Sequence, residues 1–134
     1  MSRRPRLGRA IASLLTTIAL LSAHILAGCA PIERRLAMGR VQRRYVALAD
    51  RVEADLPGES RVAAAELRRA LEDPAITASA SYERDESFRT LHRQALDAVE
   101  SFERQAATAD AVRRSALLGG ISSACRSCHD RFRG

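Results

Sequence analysis

The chain closes on Leu118-Gly119-Gly120-Ile121-Ser122-Ser123-Ala124-Cys125-Arg126-Ser127-Cys128-His129-Asp130-Arg131-Phe132. Two patterns share this stretch. Leu118, Ile121, Cys125, Cys128 and Phe132 recur at spacings of three and four, the stripe of a helix with one face turned to a core. The stretch also contains Cys-x-x-Cys-His, the run that attaches a c-type haem covalently. Each thiol adds to one porphyrin vinyl group, and the adjacent imidazole is placed to ligate the iron. Both cysteines fall on the apolar stripe, which is where a haem inside a helical bundle has to be attached. Gly119 and Gly120 interrupt it at about 1 kcal/mol each for a helix interior. A flat ring approaching the backbone would account for them, and so would a local kink.

Paired cysteines have two other common uses. A redox dithiol sits at a helix N-terminus in a βαβ context, where the dipole lowers the thiol pKa. A structural zinc site needs four ligands, and no fourth Cys or His lies at a usual zinc spacing. Haem attachment is the reading to test against the rest of the chain.

Outward from this stretch the sequence reads as helices. At 134 residues there is room for one domain. Only 4% of residues are aromatic, none is Trp, and Ala, Leu, Arg and Glu dominate, which favours helix over strand. A first helix opens at Pro31 and carries Met38, Val41, Tyr45, Leu48 and Val52 on one stripe, with Pro57-Gly58 as its stop. A short second runs from Ser60 to Glu72 with Ala64, Leu67 and Leu71 inward, and residues 75–81 read as a small-residue loop. The third starts near Ser81 and presents Phe88, His92 (or Leu91), Ala95, Val99, Phe102 and Ala106. The fourth opens around Thr108 and Asp110. Short links predict an all-α fold, an antiparallel up-down-up-down four-helix bundle, with the haem near the C-terminal end of the last helix. Met38, His92 and His129 then lie near one pole.

The first 28 residues read as an address. Arg3, Arg4, Arg6 and Arg9 precede an apolar run from Ala10 to Ala27, a secretory signal pattern. A retained membrane anchor and an Ala-x-Ala-type cut releasing a soluble protein are the alternatives. Leu26-Ala27-Gly28-Cys29 resembles a bacterial lipobox, which implies cleavage before Cys29 and lipid on that cysteine. By this resemblance residues 29–134 are the mature domain, on the periplasmic side of a membrane. Ala30 in place of Asp points to the outer membrane where there are two. The net charge of +6 does not indicate nucleic acid. Four of the 22 basic residues fall in the first ten positions, leaving 18 against 16 acids with the signs interspersed.

A single Cys-x-x-Cys-His at the end of a four-helix chain, behind an export signal, resembles the class II cytochromes c, the cytochrome c′ family. The ordinary small cytochromes c carry the motif near their N-terminus instead. Residues Cys125 to Arg133 look like that family's ending, with an aromatic and an Arg after the histidine. The likeness covers residues 29–134 as architecture and only their last few as motif. It implies one haem c, thioethers at Cys125 and Cys128, and His129 as proximal ligand. Arg133 would lie near the proximal side, or act as a solvated C-terminal Arg offsetting the helix dipole. Ile121, Phe132, Tyr45 and Phe88 would contact the ring, the last two also reading as plain core.

The family's sixth position is either left open behind apolar side chains, giving iron that binds NO or CO, or filled by a Met from the first helix. Met38 is the one Met after the signal. As a flexible gap-filler it could simply pack; as a thioether ligand it would favour the ferrous state and raise the potential. His92 is the weaker candidate ligand, or a partner of a haem propionate, a role for which Arg34, Arg35 and Arg89 also stand. The expectation is an electron-transfer lipoprotein exchanging electrons with membrane or periplasmic redox partners; the alternative is a five-coordinate cytochrome c′ binding NO or CO. No residues suggest a catalytic acid–base pair, so the chain does not read as an enzyme. Family resemblance implies a homodimer through the first two helices, against which the short second helix counts.

Overall fold

The structure, a computed structural model, describes residues 32–78 and 80–132, apart from the side chains of residues 80 and 81. The signal segment, Cys29 and Arg133 lie outside the described residues. Arg34–Gly134 make up one compact unit. Among the described residues the chain is all-helical and has no strand. Four long helices, α1 (residues 32–53), α2 (Pro57–Leu71), α5 (Glu86–Gln105) and α6 (Ala111–Phe132), are joined with two short ones, α3 (Pro74–Thr77) and α4 (Ala80–Arg84). No described helix is long and apolar enough to cross a membrane.

The boundaries follow from local chemistry. Helix α1 ends in a Schellman turn: Leu56 N–H donates to Arg51 O at 3.0 Å and Asp55 N–H to Val52 O at 3.1 Å. Asp55 takes the left-handed conformation there, φ 53°, a place Asp tolerates better than most side chains. Pro57, expected to stop α1, instead occupies the first turn of α2, where its missing N–H costs nothing. The predicted loop over 75–81 holds α3. Asp73 caps it, accepting from Ala75 N–H at 2.9 Å and pairing with Arg40 of α1. These two partners, Arg40 first, hold the Asp73 carboxyl below its ordinary range. The third predicted helix is broken in two because Asp85 starts α5 afresh, accepting from Ser87 and Phe88 N–H at 2.8 and 3.2 Å. Asp110 does the same for α6, accepting from Arg113 N–H at 2.7 Å.

Pairings across the helices give their directions. Arg51–Glu59 and Arg44–Glu66 join α1 to α2 with numbers rising on one and falling on the other, so the two run antiparallel. Helix α5 packs on α2 and on α6. Gln105 meets Arg113 at one end of the α5–α6 pair and Phe88 meets Phe132 at the other, again antiparallel. The core is the overlap of their stripes: Ala37, Val41, Leu48 and Val52 with Ala64, Leu67 and Leu71, and Val99, Phe102 and Ala106 with Ile121. Ala37 holds the innermost place at the start of α1, with Met38 beside it at the edge of the core. This arrangement is compatible with a four-helix bundle.

Among the described residues Phe102 is the largest fully buried side chain. Phe102→Ala should cost about 3–5 kcal/mol through lost burial and the cavity left behind. Urea unfolding of the purified protein measures it, and a loss under about 1 kcal/mol would contradict this core.

Candidate functional site

Cys125, Cys128 and His129 all lie in the last turns of α6. Three contacts fix how that helix is rotated. Ile121 is fully buried at its centre. At its start, Arg114 is buried and donates to Asp55 of the α1 turn and to the Ala109 carbonyl. At its end, Phe132 packs edge-on to Phe88 of α5, ring centroids 5.1 Å apart. Spacings of four and seven residues then carry Cys125 and Cys128 round to nearly the same side as Ile121. Cys125 packs against the core cluster, and Cys128 and His129 are half-buried.

Both cysteines are free thiols. Burial pushes Cys125 above its ordinary pKa, with nearby Cys128 adding to the rise, and burial alone raises Cys128. The thiols also stand at the C-terminal end of a long helix, where the dipole disfavours a thiolate. That is the reverse of a redox dithiol, whose nucleophile is acidified at a helix N-terminus. Among the described residues no group of three His, Cys, Asp or Glu is placed to hold a metal ion. What the arrangement offers is two neutral, reachable sulfurs three residues apart on one helical face, with an imidazole one residue on.

The remaining predicted site residues fall into two groups. Met38 and Tyr45 are half-buried at the edge of the core on α1. Phe88 and His92 belong to an aromatic cluster at the α6 end. Tyr82 stands edge-on to both, at 5.7 Å from Phe88 and 5.4 Å from His92, while Phe88 and His92 stack at 6.4 Å. His92 is buried and its Nε2–H donates to the Leu71 carbonyl at 2.9 Å; the carbonyl only accepts, so the proton sits on Nε2. Its Nδ1 is buried without a hydrogen-bond partner. His92 therefore ties α5 to the end of α2. The nitrogen usually offered to a metal is already engaged, and only Nδ1 remains. Arg89, considered for a propionate, spends one Nη1 on the carbonyls of Tyr82 and Glu83, at 3.1 and 2.6 Å.

Two features were not read from the sequence. Tyr82 completes the aromatic cluster, and its position just before the Asp85 cap was the available signal. The Arg114–Asp55 pair left none, because it joins residues 59 apart through a turn. The glycine pair has no close neighbour either: a Cβ on Gly119 or Gly120 would meet nothing within 4 Å. Both face outward, so within this chain they accommodate no close approach. A shallow open depression of about 580 Å³ lies beside the motif, lined by Asp85, Ser127, Asp130, Arg131 and Phe132.

In chain made without haem-attachment machinery, alkylation of the two thiols should rise with pH along a curve centred above the ordinary cysteine value of about 8.5. A midpoint below about 8 by rapid iodoacetamide labelling would contradict this environment and reopen dithiol chemistry.

No protein-family model, no curated protein and no solved structure matches the chain.

Proposed function

We propose that the chain is an exported, lipid-anchored c-type cytochrome that carries one haem c and transfers electrons. The observation that carries this reading is the complete Cys125-x-x-Cys128-His129 run at the end of one continuous helix, with both thiols half-buried, neutral and turned toward the core side. Thioether formation needs both sulfurs within reach of one ring edge, and an i, i+3 pair on a helix meets that need. A haem held there supplies one-electron chemistry at its iron.

The chain's own residues supply attachment, orientation and exclusion of water. Cys125 and Cys128 would anchor the ring edge, and His129 would be the proximal ligand. Ile121, Phe88 and Tyr45 are apolar or aromatic groups at or beside the core, and Phe132, itself exposed, packs edge-on to Phe88; all four are suited to the ring faces and edges. The four long helices then serve as an up-down-up-down bundle. Arg40–Asp73 links the early part of α1 to α3, and the Tyr82–Phe88–Phe132 contacts link α4 and α5 to the end of α6. Met38, half-buried two residues before Arg40, is the proposed sixth ligand. The engaged Nε2 of His92 favours Met38 over it.

A second reading draws on one observation: Ala37 rather than Met38 takes the fully buried position at the start of α1. In that reading Met38 only borders an open sixth position, and the protein binds NO or CO. Anchoring through Cys29 would hold either protein at a membrane outside the cytoplasm.

Met38→Ala separates the two. For the carrier, the variant should lose its low-spin absorption spectrum, become high-spin and gain CO binding. An unchanged spectrum would remove Met38 as a ligand. Cys125→Ala with Cys128→Ala should abolish covalent haem, and retention of it would overturn the attachment site.

A further inference from the structure

Among the described residues, helix α1 has a partly apolar face left exposed. Ala37, Val41, Leu48 and Val52 are buried. Leu36, Gly39, Arg43, Val46 and Asp50, spaced three, four, three and four apart, lie on the opposite side of the helix, and the acidic Asp50 ends the apolar and basic part of the face. Leu36 is 60% exposed and Val46 45%. Arg43 lies back along this face, its Nη1 3.6 Å from where a Cβ on Gly39 would stand. Exposed Arg35 flanks Leu36. The ion pairs to α2 and α3 leave from Arg40, Arg44 and Arg51, about a quarter turn away, so neither helix covers the face.

Outward-held aliphatic side chains with arginines among them suit the boundary between lipid headgroups and acyl chains. There the stems lie in the apolar layer and the guanidinium groups reach the phosphates. Chain length supplies the occupant. Cys29 precedes Leu36 by seven residues, which even fully extended span no more than about 25 Å. We propose that this face of α1, Leu36 and Val46 with Arg35 and Arg43, lies on an anionic lipid surface. The inference rests on the reading of Cys29 as the lipid-bearing residue and adds how the domain sits on its membrane.

The chain contains no Trp, so a single Trp can report on this face. Leu36→Trp is the probe, and Val112→Trp, at a site 80% exposed at the start of α6, is the reference. The full chain is purified from membranes, weighed intact for lipid on Cys29, and reconstituted into phosphatidylglycerol-containing vesicles with and without brominated acyl chains. Brominated chains should cut the Leu36→Trp emission to about half and leave Val112→Trp unchanged, and adding Arg35→Glu with Arg43→Glu should weaken the quenching. Indifference of Leu36→Trp to bromine overturns the proposal. If Cys29 carries lipid in that case, the anchor reading stands alone. Quenching at Leu36 without lipid on Cys29 supports the face and removes the anchor. A Leu36→Trp shielded from acrylamide yet blind to bromine also overturns it, and assigns the face to a second copy of the chain.

Discussion

The rotation of α6 about its own axis is the constraint on which the rest depends. Its stripe is weak: only Arg114 and Ile121 are buried along its whole length. Ile121 contributes about 1.5–3 kcal/mol of burial at the midpoint and determines which side faces inward. The two ends are held by different chemistry, a buried guanidinium clasped by the α1 turn and an edge-on aromatic contact with α5. With three points fixed, the cysteines have no freedom to turn outward. A helix rotated by a quarter turn would put both thiols in water, away from the core that Cys125 packs against.

The clasp at Arg114 shows how the two poles divide their tasks. A buried charge is tolerated only with partners, and here the partners are Asp55 and a backbone carbonyl, although Nε has none. Losing one side of such a pair is more damaging than the pair is stabilising. The left-handed Asp55 thus serves two purposes: it turns the chain from α1 into α2 and anchors the start of α6. The opposite pole has softer contacts, made of stacked and edge-on rings, a histidine bonded to a carbonyl, and thiols left half-exposed. That is the pole at which the proposed chemistry resides.

Much of this was legible in the sequence, for a physical reason. Periodicity placed Ala64, Leu67 and Leu71 on α2 and His92, Ala95, Val99, Phe102 and Ala106 on α5, because large apolar residues at helical spacing can be buried only on one side. The five-residue Cys–His run needed no fold to be noticed. Less legible were features where small residues or turns decide. Ala37 takes the innermost place at the start of α1, and an alanine gives too little hydrophobic signal to displace Met38 from a reading of the stripe. Pro57 looked like a stop and is a start, since the same residue suits both. Asp85 breaks one expected helix into α4 and α5 by capping, a choice made by a side chain that would also be at home in a helix's acidic first turn. The relation between Met38 and the motif depends on how α1 and α6 pack, which no local pattern encodes.

The most direct test of the central claim is the visible absorption spectrum of the mature protein, produced with haem-attachment machinery. It is recorded oxidised, reduced, and reduced with CO, and again after denaturation in alkaline pyridine. The haem should stay with the polypeptide through denaturation and give a low-spin spectrum that CO leaves unchanged. A high-spin spectrum that CO shifts would contradict the carrier and make the protein a gas binder. A polypeptide that comes through denaturation without haem would contradict the account at its root.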